Sequence, residues 1–134
     1  MKAELRILAV EDETAVAQFL ALVLCGPNCK VVTAHDGHDA LAKIQASPRP
    51  FDILITDHRM PGMCGLELVR VLRGQNFEGK IAVLSAHLNE AVMQDYQEQR
   101  VDVMISKPFD IDQLRRAIDT LAEQIAASHD RLEL

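Results

Sequence analysis

The chain has 134 residues, the length of one domain, and its 49% apolar and 25% charged residues are typical of a soluble globular protein. Its 14 basic and 20 acidic residues give a net charge of −6, which argues against a protein that binds nucleic-acid phosphates or anionic lipid. The longest apolar stretch, residues 15–25, is too short to span a bilayer.

Short apolar runs alternate along the chain with longer segments of helical periodicity. The first half predicts, in order, strand Arg6–Val10, helix Thr14–Leu24, strand Lys30–Ala34, a helix capped by Asp36 that ends before Ser47, and strand Asp52–Thr56. The second half predicts a loop over residues 57–64, helix Gly65–Gly74, strand Lys80–Leu84, helix Asn89–Arg100, strand Val101–Ile105 and a helix capped by Asp110. Uninterrupted apolar strands are buried on both faces, which indicates a parallel sheet covered by helices.

This alternation predicts an α/β fold with five strands and five helices. Right-handed crossovers favour a doubly wound, flavodoxin-like three-layer sandwich with strand order 2-1-3-4-5. The alternative eight-unit barrel needs about 250 residues and is excluded by length. We expect a single domain over residues 1–134, with its core at about residues 5–127.

Polar residues follow four of the five predicted strands. Ligands of open parallel sheets bind beyond the carboxyl ends of the strands, where the strand order reverses, here between the first and third strands. Glu11 and Asp12 follow the first strand, and Asp57 follows the third. Ser85 ends the fourth strand and Lys107 follows the fifth. The fold is therefore expected to place three carboxylates, a hydroxyl and an ammonium along one edge.

The chemistry of this set suggests phosphoryl transfer. Neighbouring carboxylates raise each other's pKa, and a hard cation such as Mg²⁺, which prefers oxygen ligands, relieves their repulsion. One carboxylate can then attack phosphorus and form an aspartyl phosphate. The cation and the ammonium would neutralise the phosphoryl oxygens, and the hydroxyl would hydrogen-bond the bound group.

The chain resembles the receiver domain of bacterial two-component response regulators over residues 5–127. The resemblance is carried by the motifs Glu11-Asp12, Asp57 with Met60-Pro61 and Gly65, Ser85-Ala86, and Lys107-Pro108-Phe109. It implies that Asp57 accepts a phosphoryl group from a histidine kinase or phosphotransfer protein. It also implies that Asp12 binds Mg²⁺ directly, that Glu11 helps through water, and that the Arg59 backbone carbonyl is a third ligand. Ser85 would be the switch hydroxyl and Lys107 the partner of the phosphate.

The same resemblance implies how the protein would act. Its only reactions would be Mg²⁺-dependent self-phosphorylation and slow autodephosphorylation, so it would not be an enzyme in the usual sense. Phosphorylation would control a downstream protein, or an output domain that this chain does not contain. The resemblance also allows a dimer through the face formed by the fourth helix, fifth strand and fifth helix.

One position departs from the family pattern. Three residues before the lysine, the family has Tyr or Phe, which moves together with the switch hydroxyl, whereas this chain has Met104. We therefore expect a smaller response on the face named above, and a phosphorylation-independent interaction module remains the alternative function. An aspartate-nucleophile phosphatase or dehalogenase would need a second carboxylate two residues after Asp57, where this chain has Arg59.

The remaining polar and sulfur-containing residues give weaker signals. Arg59 and His87 flank the expected site, and Tyr96 is expected to be a half-exposed helix residue. Cys25 and Cys29 have a metal-like spacing but no second ligand pair, which favours packing at a helix end. The odd cysteine count and the lack of a signal-peptide pattern predict a cytoplasmic protein with no membrane contact.

Overall fold

A computed structural model describes residues 4–24 and 26–132, with side chains described to residue 128. The strands are β1 (Leu5–Val10), β2 (Cys29–Ala34), β3 (Ile53–Asp57), β4 (Lys80–Ser85) and β5 (Val103–Ser106). The helices are α1 (Thr14–Leu24), α2 (Gly37–Ala46), α3 (Gly65–Gly74), α4 (Glu90–Glu98) and α5 (Ile111–Leu132). Strands and helices alternate throughout, as the hydrophobic pattern predicts.

The strands form one parallel sheet in the order β2-β1-β3-β4-β5. Alternate residues of each strand point to opposite faces, so the sheet carries two cores. On one face Leu8 and Val10 of β1 pack with residues of α2, α3 and α4. On the other face Ile7 and Ala9 pack with residues of α1 and α5. These three layers confirm the predicted fold.

The bounds of all five strands and of α4 differ from the sequence prediction by one or two residues. The fifth strand begins at Val103 rather than Val101 because the Asp102 carboxylate accepts a hydrogen bond from the Ile81 backbone N–H at 2.8 Å, which fixes the approach to the strand. The fifth helix continues to Leu132.

Cys29 is the first residue of β2, and its thiol donates to the Leu24 carbonyl at 3.4 Å, in keeping with packing at a helix end. Cys25 lies outside the described residues.

Tyr96 is fully buried, with 0% of its surface exposed, so the prediction of a half-exposed residue is wrong. The ring lies in the core between α4 and the sheet, together with Leu68 and Val83. Its hydroxyl reaches a hydrogen-bond partner in the loop after β3, and this partner allows a polar atom to be buried there. The partner is His58, 38 residues away, so the helical periodicity of Asn89–Arg100 alone does not predict it.

In the described part of the chain, every helix falls short of the length or apolar character that a membrane crossing requires.

Candidate functional site

The carboxyl edge of the sheet brings together the polar residues that follow the strands. Asp57 is the last residue of β3 and lies opposite Leu84 of β4. Ser85 is the last residue of β4. Glu11 continues β1, and its backbone N–H donates to the Ala34 carbonyl at the end of β2, 2.9 Å away. Because the strands are parallel and in register, residues distant in sequence share one edge, as predicted.

Three carboxylates lie at the centre of the site. Oxygen atoms of Glu11, Asp12 and Asp57 all lie within 4.8 Å of one another. Glu11 and Asp57 are buried, with 1% and 8% of their surfaces exposed, whereas Asp12 is exposed. The site is therefore an acidic pocket with two inner carboxylates and one at its mouth.

Lys107 brings a positive charge into this pocket from the segment after β5. Its ammonium Nζ lies 2.7 Å from Asp57 Oδ1 and 3.5 Å from Glu11 Oε2. The Lys107 backbone N–H donates to the Ser85 carbonyl at 2.8 Å, which ties the segment to the end of β4. The bond between Lys107 and Pro108 is cis, a conformation common only before proline.

Burial sets the electrostatics of the pocket. Desolvation by burial and, next, the nearby charge of Asp57 together raise the pKa of Glu11 from 4.5 to about 7. Desolvation also raises the pKa of Asp57 above its usual range, against the opposing effect of the Lys107 ammonium. Burial alone would lower the pKa of Lys107, but its hydrogen bond to Asp57 raises it above its ordinary value. The two inner carboxylates thus carry charge at a cost that a cation would reduce.

The chemistry of these side chains fits a divalent cation. Oxygen ligands with few protein contacts suit Mg²⁺, which keeps several of its waters. Glu11 Oε2 is buried and has no hydrogen-bond partner among the described residues, although the Lys107 ammonium lies 3.5 Å away. A buried carboxylate oxygen without a hydrogen bond is costly, and it is available to a metal or to metal-bound water.

Ser85 is buried at the edge of the pocket, with 3% of its surface exposed. Its hydroxyl oxygen accepts a hydrogen bond from the His87 backbone N–H at 3.1 Å, so it is held by its own loop. Arg59 and His87, which the sequence places beside the site, are both exposed. The metal-binding role of the Arg59 backbone carbonyl remains a prediction.

Backbone hydrogen bonds and a glycine fix the loop after Asp57. The His58 N–H donates to the Leu84 carbonyl at 2.9 Å, and the Gly65 N–H donates to the His58 carbonyl at 2.8 Å. A Cβ on Gly65 would lie 2.5 Å from the Asp57 carbonyl oxygen, closer than real contacts allow. Only glycine therefore lets α3 start this close to the phosphoacceptor candidate.

Sequence reasoning missed one interaction in the site. The Tyr96 hydroxyl shares a hydrogen bond of 2.5 Å with Nδ1 of His58, the residue after Asp57. The two residues are 38 positions apart; His58 lies between the motif residues Asp57 and Met60, whereas Tyr96 lies outside the motifs that carry the family resemblance. A tyrosine among the polar residues of the second half of α4 is the only signal that could have directed attention to it.

Comparison with known proteins identifies the family. The family model for the response regulator receiver domain matches residues 7–119. The chain is 37% identical over 109 residues to the response regulator ArlR of Staphylococcus aureus, covering 81% of this chain and 48% of ArlR. It is 32% identical over 123 residues to the DNA-binding transcriptional regulator NtrC of Salmonella typhimurium, covering 88% of this chain and 26% of NtrC. The chain thus spans about half or less of these curated relatives.

Solved structures agree with this result. The chemotaxis protein CheY4 of Vibrio cholerae is 30% identical with a TM-score of 0.81, over 89% of this chain and 99% of CheY4. The response regulator TrrA of Thermotoga maritima, solved in complex with Mg²⁺ and BeF, is 30% identical with a TM-score of 0.74, over 87% of this chain and 98% of TrrA. Both structures support the flavodoxin-like fold predicted from the sequence.

Proposed function

The chain belongs to the response regulator receiver domain family, whose members are phosphoacceptors in two-component signalling, and on that premise we propose that Asp57 is its phosphorylated residue. The observation that carries the proposal is the acidic pocket, in which Asp57 ends a central strand within 4.8 Å of Glu11 and Asp12 oxygens. Lys107, 2.7 Å from Asp57, supplies the positive charge that a phosphoryl group needs. We propose the whole chain, with its core at residues 5–127, as one receiver unit.

The proposed reaction transfers one phosphoryl group. A carboxylate oxygen of Asp57 attacks the phosphorus of a phosphohistidine in a histidine kinase or phosphotransfer protein. A P–O bond forms as the P–N bond breaks, and the imidazole leaves with the bonding electron pair. The product is an acyl phosphate, which water returns slowly to the carboxylate and inorganic phosphate. Apart from this cycle, we propose no enzymatic activity.

Charge neutralisation is what the other side chains contribute. The Lys107 ammonium already contacts Asp57 Oδ1, so it can pair with the phosphoryl oxygens once Asp57 is phosphorylated. We propose that Asp12 and Asp57 bind Mg²⁺ directly, that Glu11 contributes through water, and that the Arg59 carbonyl completes the protein ligands. When bound, Mg²⁺ neutralises the oxygens of the transferring group. Ser85 would leave its bond with the His87 N–H to hold the phosphoryl group.

The partners follow from this chemistry. The donor is a phosphorylated histidine of a sensor kinase or phosphotransfer protein, and the receiver controls a downstream protein or an output domain. The relatives ArlR and NtrC are a response regulator and a DNA-binding regulator that extend well beyond the matched region. We further propose a cytoplasmic location and, on phosphorylation, association through the α4–β5–α5 face.

Mass spectrometry of the intact chain tests the proposal. Incubation with acetyl phosphate and Mg²⁺ is expected to add one phosphoryl group to the wild type and none to Asp57→Asn. Asp119→Asn, which removes an exposed carboxylate on α5, is the matched control and is expected to react like the wild type. A wild-type chain that gains no phosphoryl mass in Mg²⁺ would instead support the phosphorylation-independent interaction module.

A further inference from the structure

We propose that Tyr96 is a positioning residue that couples the phosphorylation state of Asp57 to α4 through its hydrogen bond with His58. This inference rests on the proposed function, because it needs Asp57 to change state. It assigns a role to a residue outside the acidic pocket, on a helix that contributes no other side chain to the site described above.

Tyr96 is held in one place by its surroundings. It is the largest fully buried side chain of the chain's described part. A buried hydroxyl without a partner is destabilising, so the bond to His58 Nδ1 favours one orientation of the ring. The two rings also meet edge to face, with centroids 5.4 Å apart and an interplanar angle of 74°. Both contacts tie α4 to the loop after β3.

His58 is rigidly connected to Asp57. It is the next residue, and its backbone N–H and carbonyl bond Leu84 of β4 and Gly65 of α3 at 2.9 and 2.8 Å. The backbone of His58 is therefore fixed on both sides, and the bond to the Tyr96 hydroxyl holds its imidazole. A shift of the Asp57 peptide on phosphorylation would carry the adjacent His58 with it and change the bond to Tyr96.

Three elements meet at the Tyr96 hydroxyl. A Cβ placed on Gly65 would be 2.9 Å from that oxygen and 2.5 Å from the Asp57 carbonyl oxygen. The hydroxyl, the end of β3 and the start of α3 therefore converge on a space that only glycine leaves open. Packing this tight has few intermediate positions, so a small shift of one element is passed to the next.

The core around Tyr96 also includes the position where the sequence departs from the family pattern. Met104 of β5 packs against the cluster that contains Tyr96, at the position where the resemblance leads one to expect an aromatic ring. Tyr96 contributes a ring to this cluster from α4, and its hydroxyl hydrogen-bonds His58, the residue after Asp57. Phosphorylation shifts a conformational equilibrium only through interactions that differ between the two states, and the Tyr96–His58 bond is a defined candidate.

The test compares Tyr96→Phe with the wild type in the full chain, by amide NMR with Mg²⁺ alone and with Mg²⁺ plus beryllofluoride as a phosphoryl mimic. Tyr96→Phe keeps the ring and removes the hydroxyl. We expect the amide shift changes that beryllofluoride induces in residues 90–98 to fall by at least about half. The variant lacks the Tyr96–His58 hydrogen bond, which is proposed to differ between the free and the beryllofluoride-bound states. Shift changes at residues 11–13, and the rate of phosphorylation by acetyl phosphate, are expected to stay near wild-type values.

Val92→Ala is the packing control, because Val92 is on α4 and contacts the same core without sharing the bond. It is expected to keep the α4 response. His58→Ala removes the bond from its partly exposed end and should reduce the response as Tyr96→Phe does, even if Tyr96→Phe folds poorly. Equal α4 responses in wild type, Tyr96→Phe and His58→Ala would overturn the inference and leave the proposed function intact. A wild type that binds no beryllofluoride and gains no phosphoryl mass would overturn both.

Discussion

The charged side chains at the two ends of the strands have different partners. At the amino edge, the Arg73 guanidinium donates to four backbone carbonyls, at 2.8–3.1 Å, which belong to Phe77, Gly79, Gln99 and Arg100. At the carboxyl edge, Glu11, Asp12 and Asp57 crowd together. One ammonium, that of Lys107, contacts the two inner carboxylates.

The carboxylates of the two edges show the same contrast. Asp52 accepts the Arg6 backbone N–H at 2.9 Å, and Asp102 accepts the Ile81 backbone N–H at 2.8 Å. Each therefore satisfies a donor that the strand ends leave open. Glu11 Oε2, by contrast, is buried without a hydrogen bond among the described residues. Arg6 Nε is the one buried polar side-chain atom at the amino edge that lacks a hydrogen-bond partner among the described residues. The crowding of charge at the carboxyl edge is explained by the ion and phosphoryl group that we propose it binds.

The largest effect that would sharpen this contrast is expected for Asp12→Ala. Removing a residue that only hydrogen-bonds a metal ligand typically weakens metal binding by about 10–100-fold. Removing a direct ligand should therefore weaken Mg²⁺ binding by at least about 100-fold. The free energy of unfolding without Mg²⁺ should not fall, because Asp12 is exposed and adds repulsion to the pocket. Isothermal titration with MgCl₂ measures the affinity. Glu13→Ala, an exposed neighbour outside the carboxylate cluster, is the control, and unchanged affinity in Asp12→Ala would refute the assignment.

The second effect is a pH-dependent decrease in the free energy of unfolding that the buried Glu11 carboxylate causes. Burial and the charge of Asp57 raise its pKa from 4.5 to about 7. The stabilisation of the folded protein by neutral Glu11 is therefore complete below pH 4.5 and is lost as the pH rises through 7, where the buried carboxyl must ionise. Without Mg²⁺ at pH 8, Glu11→Gln should therefore be more stable than the wild type by roughly 2–3 kcal/mol, and the gap should shrink toward pH 5. Urea unfolding in EDTA at both pH values measures it. A gap independent of pH would show that Glu11 does not titrate there.

The smallest of the three effects belongs to the amino edge. Arg73→Ala should lower the free energy of unfolding by about 2 kcal/mol, since the freed carbonyls regain only part of their bonding from water. Mg²⁺ affinity and phosphorylation should not change. Arg70→Ala, on the exposed side of the same helix, should stay within about 0.5 kcal/mol of the wild type. A weaker Mg²⁺ site in Arg73→Ala would break the proposed separation of the two edges.

Much of the molecule could be predicted from the sequence because its signals are local or repeat with the fold. Apolar runs such as Ile53–Thr56 identify buried strands, and the parallel topology then brings Glu11, Asp57 and Lys107 to one edge without further information. Asp36 was also predicted as a helix cap, and its carboxylate accepts the Asp39 N–H at 2.7 Å.

What escaped prediction depends on pairs of distant residues. The burial of Tyr96 needs a partner for its hydroxyl, and that partner, His58, is specified only once α4 packs beside the loop after β3. The four bonds of Arg73 are likewise absent from any local pattern, because they collect carbonyls from two separate loops. Gly65 is part of the motif that carries the resemblance, but its sequence position does not reveal that a Cβ there would lie 2.9 Å from the Tyr96 hydroxyl.

Locating the phosphoryl group tests the central claim most directly. After reaction with acetyl phosphate and Mg²⁺, borohydride reduces an acyl phosphate to the corresponding alcohol, so a phosphorylated aspartate becomes homoserine. Peptide sequencing by tandem mass spectrometry is expected to find homoserine at position 57 alone, in an amount equal to the phosphorylated fraction of the intact protein. Homoserine at Asp12 or another aspartate, or a phosphorylated protein with unmodified Asp57, would contradict the account.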